Sequence, residues 1–297
     1  MTPDWIACDW GTSNLRVWAM DAGGILAEAT SSDGMGSLTP GGFEPALIRL
    51  IDPWLRAGRV TPVIACGMVG ARQGWREAAY RAVPCTPVSA DALTPVPTAD
   101  RRIRFSIAPG LSQAKPADVM RGEETQIAGA LALYPQFDGV ICLPGTHSKW
   151  AQISAGEVVS FQTFMTGEMF ALLSQQSVLR HGMQGEGQED AAFDAALSET
   201  LSRPERLAAN LFGLRAEGLL HGLGPAAARS RLSGLLIGAE LAATRPYWLG
   251  QRVALVGAAA LSRAYGRALA AQGVQAETLD ATACTLAGLS TLARGLT

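Results

Sequence analysis

Residues 7–16 read Ala-Cys-Asp-Trp-Gly-Thr-Ser-Asn-Leu-Arg, between the strand-like Trp5 to Cys8 and a second apolar run, Leu15 to Met20. A turn of this kind can simply close a hairpin. It can also hold a phosphate: consecutive backbone N–H groups point outward, glycine lets an anion come close, and hydroxyls add donors. On that reading Gly11, Thr12, Ser13, Asn14 and Arg16 are candidate phosphate contacts. Asp9, at the strand end, is a candidate anchor for Mg²⁺, which keeps several waters and needs few carboxylates.

The choice between the two readings depends on an echo further along. Val140-Ile141-Cys142-Leu143-Pro144-Gly145-Thr146-His147-Ser148-Lys149-Trp150 repeats the order strand, Gly-Thr, hydroxyl, basic residue. A duplicated half-fold produces such a repeat. Two loops of this type facing each other across a cleft would grip a nucleoside triphosphate from both sides, which adds Gly145, Thr146, His147, Ser148 and Lys149 as candidates. Neither GxxxxGK[ST] nor GxGxxG after a strand occurs, so a phosphate here needs a different architecture from the two commonest glycine-rich loops.

The rest of the chain reads as α/β. Strand-length runs at Pro62 to Cys66, Gly139 to Leu143 and Gln251 to Val256 alternate with helical patterns, and Leu15 to Glu28 reads as strand, Asp-Ala-Gly-Gly turn, strand. A helix is expected from Glu123 to Tyr134, ended by Pro135. Others are expected from Leu261 to Gln272 and from Thr285 to Ala293, with an edge strand from Val274 to Leu279. The proline-rich Val83 to Pro97 and the basic cluster Arg101 to Arg104 read as solvated surface, Thr166-Gly167-Glu168 as a helix N-cap, and Gly234 and Gly238 as places where another helix comes close.

Of the 297 residues 48% are hydrophobic and 17% charged, with a net charge of −2, so the chain can bury a large core but lacks the basic field of a nucleic-acid binder. Its five cysteines form no CxxC or zinc-spaced pair, which points to reduced thiols. With no signal-peptide pattern and no stretch of ~18 apolar residues, a cytoplasmic protein without a membrane partner is expected. A homodimer is left open.

Three more stretches carry chemistry. In Met120-Arg121-Gly122-Glu123-Glu124-Thr125-Gln126 a carboxylate can take the proton of an attacking hydroxyl. Glu123 and Glu124 are adjacent on a helix and cannot face the same way, so one is the candidate base. In Gly67 to Tyr80, three glycines accompany Arg72, Trp75 and Tyr80; arginine pairs with carboxylates and aromatic rings stack on sugar carbon, so with Met68 and Arg121 this stretch suits a small hydroxy acid. It also reads as a glycine-rich loop with an aromatic plug. Gly257 and Ala258 form a strand-to-helix turn that a nucleoside base can approach.

The motifs CDWGTSNLR, GMGSL, GMVGARQGWREAAY, MRGEETQ, LPGTHSKW, MTGE and SGLLIGAE, in this order, resemble those of 2-dehydro-3-deoxygalactonokinases over essentially the whole chain. The resemblance implies a two-lobed actin-like ATPase (ribonuclease H-like) fold with a duplicated mixed β-sheet core and an interlobe cleft, as in the actin, hexokinase and Hsp70 superfamily. It places an N-terminal lobe at 1–135 and a C-terminal lobe, with the adenosine site, at 136–297. It implies transfer of the ATP γ-phosphate, with Mg²⁺, to the 6-hydroxyl of 2-dehydro-3-deoxy-D-galactonate in galactonate catabolism. Exopolyphosphatases of that superfamily carry a similar Gly-acid-acid stretch, which supports Glu123 or Glu124 as base. The resemblance makes Gly257 and Ala258 the adenosine-side turn, where the family more often has a glycine in place of one of the alanines that follow Gly257. If Gly145 is equivalent to Gly11, the counterpart of Asp9 is Leu143, and the metal-side carboxylate is missing from the second loop. A phosphohydrolase of the exopolyphosphatase type and a non-catalytic sugar or nucleotide sensor are the alternative readings.

Overall fold

The computed structural model describes residues 2–295, in which two sheets share one strand order. The first contains β1 (Trp5–Trp10), β2 (Leu15–Asp21), β3 (Gly24–Ser31) and β4 (Thr61–Cys66), and further along β6 (Thr94–Val96) and β7 (Ile103–Ile107). Between these last strands in sequence lies β5 (Tyr80–Ala82), which joins β8 (Gly110–Gln113) and β9 (Asp118–Met120) in a small separate sheet. The second large sheet is built from β10 (Gly139–Leu143), β11 (Ser148–Ser154), β12 (Glu157–Phe164), β13 (Val253–Val256) and β14 (Glu277–Leu279).

The first sheet runs β3-β2-β1-β4-β7-β6 and the second β12-β11-β10-β13-β14. In each, the first three strands appear in reverse order and the next two parallel strands extend the other side. In the first sheet β1 pairs antiparallel with β2 and parallel with β4, and β4 parallel with β7. In the second, β10 pairs parallel with β13 and β13 with β14. This is the duplicated ribonuclease H-like sheet of the actin-like ATPase fold, and it places residues 10–14 and 144–147 at equivalent strand-to-strand connections.

The helices are α1 (Phe43–Ile51), α2 (Glu123–Leu133), α3 (Thr166–Gln175), α4 (Asp190–Ser202), α5 (Leu207–Leu220), α6 (Pro225–Ala243), the single turn α7 (Arg245–Trp248), α8 (Ala259–Ala270) and α9 (Ala281–Arg294). No described helix is long and apolar enough to cross a membrane. The chain divides into two compact units. One comprises the residues up to Asp138, Ile153–Phe161 and the residues from Asp280 onward; the other comprises Gly139–Gln152 and Gln162–Leu279.

Each unit has its own core. Trp10, Phe43, Phe105 and the half-buried Trp75 form a ring cluster in the first, with Trp75 and Phe105 centroids 4.5 Å apart. Trp150, Phe193, Trp248 and Tyr265 are buried together in the second. Gly234 and Gly238 do admit another helix. A Cβ on Gly234 would lie 2.3 Å from the Phe193 carbonyl oxygen, and one on Gly238 2.6 Å from that of Leu197, both on α4.

Two surface expectations need correction. Within Val83 to Pro97, residues 94–96 form an edge strand and Val88 and Val96 are buried; Pro95 fits because an edge strand can spare an N–H. The basic cluster runs into β7, where Ile103, Phe105 and Ile107 alternate into the core. The intervening Arg102, Arg104 and Ser106 hide that period-two pattern in the sequence.

Candidate active site

The first glycine loop is both a hairpin turn and an exposed donor platform. Gly11 N–H donates to the Asn14 carbonyl at 3.0 Å and closes the β1–β2 hairpin, while Thr12, Ser13 and Asn14 are exposed. The carbonyls of Gly11 and Thr12 accept from Met35 and Gly36 N–H at 2.9 Å each, so residues 34–36 brace the loop from behind. Gly34 permits this: a Cβ there would sit 2.2 Å from the Thr12 carbonyl oxygen.

Asp9, whose side chain is 20% exposed, stands at the β1 end opposite Arg16 on β2 and Cys66 on β4. Its Oδ2 forms an ion pair with the Arg16 guanidinium, and its Oδ1 lies 3.9 Å from Cys66 Sγ. Gly67 follows at φ +92° with no room for a Cβ, which would meet the Trp10 carbonyl oxygen at 2.8 Å. Gly122, at φ +104°, caps α2 and packs on Gly67, its own Cβ position being 3.2 Å from the Gly67 Cα. Two left-handed glycines thus bring the start of α2 against the ends of β1 and β4.

The adjacent acids of α2 divide as the helix geometry requires. Glu123, half-exposed, accepts the Arg121 N–H at 3.1 Å. Glu124 is fully buried; Oε2 accepts the Gly122 N–H at 2.6 Å and Oε1 the Thr125 hydroxyl at 3.0 Å. Burial, followed by the charge of Glu123, pushes the Glu124 carboxyl up to about 8 against the pull of its hydrogen bonds. Around neutrality Glu124 therefore holds its proton, and Glu123 is the accessible member of the pair. Burial is also the main cause that pushes the Cys66 thiol up, with Asp9 and then Glu124 adding to it, so the three groups are electrostatic neighbours.

Among the expected sugar-acid residues, Arg121 and Tyr80 are brought together. The Arg121 guanidinium carbon lies 4.3 Å from the Tyr80 ring centroid and Nη2 donates to the Ala78 carbonyl at 2.7 Å, while the buried Nε and Nη1 have no hydrogen-bond partner. Arg72 lies apart, its side chain 81% exposed and paired with Glu77 at 3.6 Å. Trp75 packs on Phe43 and Phe105 as an aromatic plug, and its half-buried ring also lines a surface pocket with Glu44 and Asp100. Met68 starts the short turn after Gly67.

In the second unit, Thr146 and His147 are exposed at the tip of the other loop, and Leu143, where the first loop has its acid, is buried. His147 Nε2 lies 2.6 Å from Glu168 Oε2. Ser148 and Lys149 turn inward: Ser148 Oγ is 2.9 Å from the Tyr265 hydroxyl, and the Lys149 ammonium donates to the His147 carbonyl at 3.2 Å. Beside the loop is a cavity of about 300 Å³ walled by Gly145 and Thr146, by Thr166, Gly167 and Phe170 of α3, by Ser233, Leu236 and Ile237 of α6, and by Leu261 and Tyr265 of α8. Gly257 and Ala258 head α8 next to Pro144 and outside this lining.

Thr166 is not an N-cap. It is the first residue of α3, and its hydroxyl bonds to Glu240. The next residue, Gly167, fits over the loop because a Cβ would lie 2.3 Å from the Gly145 carbonyl oxygen. Phe170, Leu261 and Tyr265 lie in no motif, while the other cavity-facing residues of α3 and α6 fall in the MTGE and SGLLIGAE motifs, which by themselves assign them no place in a pocket. Their signal is the helical spacing of Ser233, Leu236, Ile237 and Glu240 on one stripe, in which a glutamate occupies a buried position.

Comparison with known proteins shows the family. The family model described as 2-keto-3-deoxy-galactonokinase matches residues 9–292. A protein of Rhizobium meliloti (strain 1021) named "Probable 2-dehydro-3-deoxygalactonokinase DgoK1" is 42% identical, covering 98% of this chain and 96% of its own. The 2-dehydro-3-deoxygalactonokinase of Escherichia coli (strain K12) is 35% identical, covering 100% and 99%. The crystal structure of a candidate 2-dehydro-3-deoxygalactonokinase from Sinorhizobium meliloti superposes with a TM-score of 0.91 at 39% identity, covering 98% of this chain and 99% of that one. The chain belongs to the 2-keto-3-deoxy-galactonokinase family, a family of ATP-dependent sugar-acid kinases.

Proposed function

We propose that the protein transfers the γ-phosphoryl group of ATP to the 6-hydroxyl of 2-dehydro-3-deoxy-D-galactonate, with Glu123 as the base. The observation that carries this reading is the split between the two acids of α2: Glu124 is buried and holds its proton near neutrality, while Glu123 is the half-exposed carboxylate that a substrate hydroxyl can reach. In the first unit the exposed Thr12, Ser13 and Asn14 are phosphate donors. In the second, Gly145 and Thr146 head the loop beside the apolar cavity that takes the adenosine. Ser148 and Lys149 brace their loop, and the Arg121 and Tyr80 pair receives the carboxylate end of the sugar acid.

The donor set suits magnesium that arrives with ATP. Among the described residues no three His, Cys, Asp or Glu side chains gather to cage a metal, whereas Mg²⁺ is commonly held by one or two carboxylates, waters and phosphate oxygens. Asp9 is that carboxylate. Bound there, the ion would neutralise charge on the transferring phosphoryl oxygens.

The test is ADP formation by the purified protein across a panel of 2-keto-3-deoxy sugar acids. Stoichiometric ADP and phosphorylated acid, strongest with the galacto epimer, is the expected result. Phosphate release at the same rate without any sugar acid overturns the reading.

A further inference from the structure

One buried carboxylate in the second unit has no part in the mechanism above. Glu240, 2% exposed, lies on α6 one turn beyond Leu236 and Ile237. Its Oε1 accepts the Trp150 indole N–H at 2.7 Å, and its Oε2 accepts the Tyr265 hydroxyl at 2.8 Å and the Thr166 hydroxyl. Tyr265 has a single hydroxyl proton and gives it to Glu240, so Ser148 donates in the 2.9 Å contact between Ser148 Oγ and the Tyr265 oxygen. The carboxylate therefore ties together β11, which follows the second glycine loop, the first turn of α3, and α8. Two of its donors, Thr166 and Tyr265, are also walls of the cavity.

Such a hub is expensive if packing is all it provides. Burial pushes the Glu240 carboxyl up in spite of its donors, and a set of apolar side chains of similar volume would fill the same space without desolvating a charge. What a satisfied polar hub adds is fixed orientation, because each hydroxyl has one direction in which its proton is used.

We propose that Glu240 is the positioning residue of the nucleotide pocket, fixing Thr166 and Tyr265 against the cavity and the second glycine loop through Ser148 and Trp150. The inference rests on reading that cavity as the nucleotide site. It makes affinity for ATP, more than turnover or affinity for the sugar acid, the quantity that Glu240 controls.

The experiment compares Glu240→Gln, Tyr265→Phe and the cavity-filling Leu236→Trp in the full chain. Binding of a non-hydrolysable ATP analogue is measured by calorimetry, alongside KM for ATP, KM for the sugar acid and kcat. Glu240→Gln is expected to weaken analogue binding and raise KM for ATP about tenfold, the change that one lost hydrogen bond to a charged group brings. The sugar-acid KM stays constant and kcat at saturating ATP changes little. Tyr265→Phe, which keeps the ring, moves the same quantities in the same direction and carries the test if Glu240→Gln does not fold. Folded Glu240→Gln and Tyr265→Phe proteins that bind the analogue normally while Leu236→Trp abolishes binding overturn the positioning role alone. Normal binding by Leu236→Trp overturns the assignment of the cavity to the nucleotide, and the positioning role with it.

Discussion

Asp9 and Arg16 face each other across the antiparallel β1–β2 pair and form an ion pair on either side of the first glycine loop. The pair commits one carboxylate oxygen to a cation of the protein and leaves the other beside Cys66. The second unit has no counterpart, since Leu143 is buried in the core. Asp9→Asn keeps the shape and removes the charge, so it is expected to lower kcat by about a hundredfold or more and to raise the magnesium concentration needed for half-maximal turnover. Thr146→Ala in the second loop should cost far less. An unchanged magnesium dependence in Asp9→Asn would remove Asp9 from metal handling.

The two acids of α2 differ in reach. Glu123→Gln is expected to lower kcat by ~10²- to 10⁴-fold, the usual worth of a positioned general base. Glu124→Gln preserves both hydrogen-bonding oxygen and shape, and should cost less than about tenfold on that scale. Coupled ADP assays at saturating ATP decide between them, and the reverse ranking would transfer the base role to Glu124.

Glu124 also gives stability a pH dependence. Its carboxyl titrates near ~4.3 in an unfolded chain and near about 8 in the fold. Across that window the native state holds a proton that the unfolded state has released, so stability falls as pH rises. Below the window this group has no effect, and above it the loss is complete. Glu124→Gln removes the titration: its melting temperature should match wild type near the bottom of the window and exceed it by roughly 10 °C above the top. Parallel melting curves at every pH would contradict the burial of an ionisable group at this position.

Arg121 presents two guanidinium nitrogens, Nε and Nη1, that are buried without a partner, beside a Tyr80 ring that is 41% exposed. An incoming carboxylate that displaces the ring would bind one edge of the guanidinium fork and satisfy one of the two, since Nε and Nη1 point to different edges. Lysine cannot reproduce that fork. Arg121→Lys is therefore expected to raise KM for the sugar acid by about tenfold or more while KM for ATP stays near wild type. A change confined to KM for ATP would place Arg121 elsewhere in the reaction.

The parts of this protein that were legible in its sequence are those where local chemistry and fold agree. Residues 7–16 and 140–150 announce two strand-to-loop units because glycine, hydroxyl and strand patterns coincide there, and the repeated sheet order bears out the duplication they imply. The split between Glu123 and Glu124 follows from helix geometry, but which one is buried depends on the ends of β1 and β4, far away in sequence. Trp75 is ambiguous for the same reason: an aromatic after a glycine-rich turn serves equally as pocket wall or plug until Phe105 is known to lie 4.5 Å away. Glu240 ends the SGLLIGAE motif, but its burial was hidden because a carboxylate in an apolar helix usually faces water, and its three donors come from segments between 150 and 265.

A last group of residues was silent in the sequence. Gly129 on α2 and Gly288 on α9 mark a helix crossing so close that a Cβ on Gly129 would lie 1.7 Å from the Cys284 carbonyl oxygen, and one on Gly288 1.9 Å from that of Thr125. Both obstacles are backbone, which cannot rotate aside, so Gly129→Ala must push the helices apart along their length. It is expected to destabilise by roughly 3 kcal/mol and to reduce kcat as well, because the same helix carries Glu123 and Glu124 in its first turn. Gly213, inside α5, meets nothing within 4 Å of an added Cβ. There the same substitution only restricts the unfolded chain and should stabilise by ~0.5–1 kcal/mol with activity unchanged. Urea unfolding of the two variants side by side reads the difference in sign directly. Equal effects would mean that α2 and α9 do not cross at backbone contact, and that the acids of α2 are positioned by Gly67 and Gly122 alone.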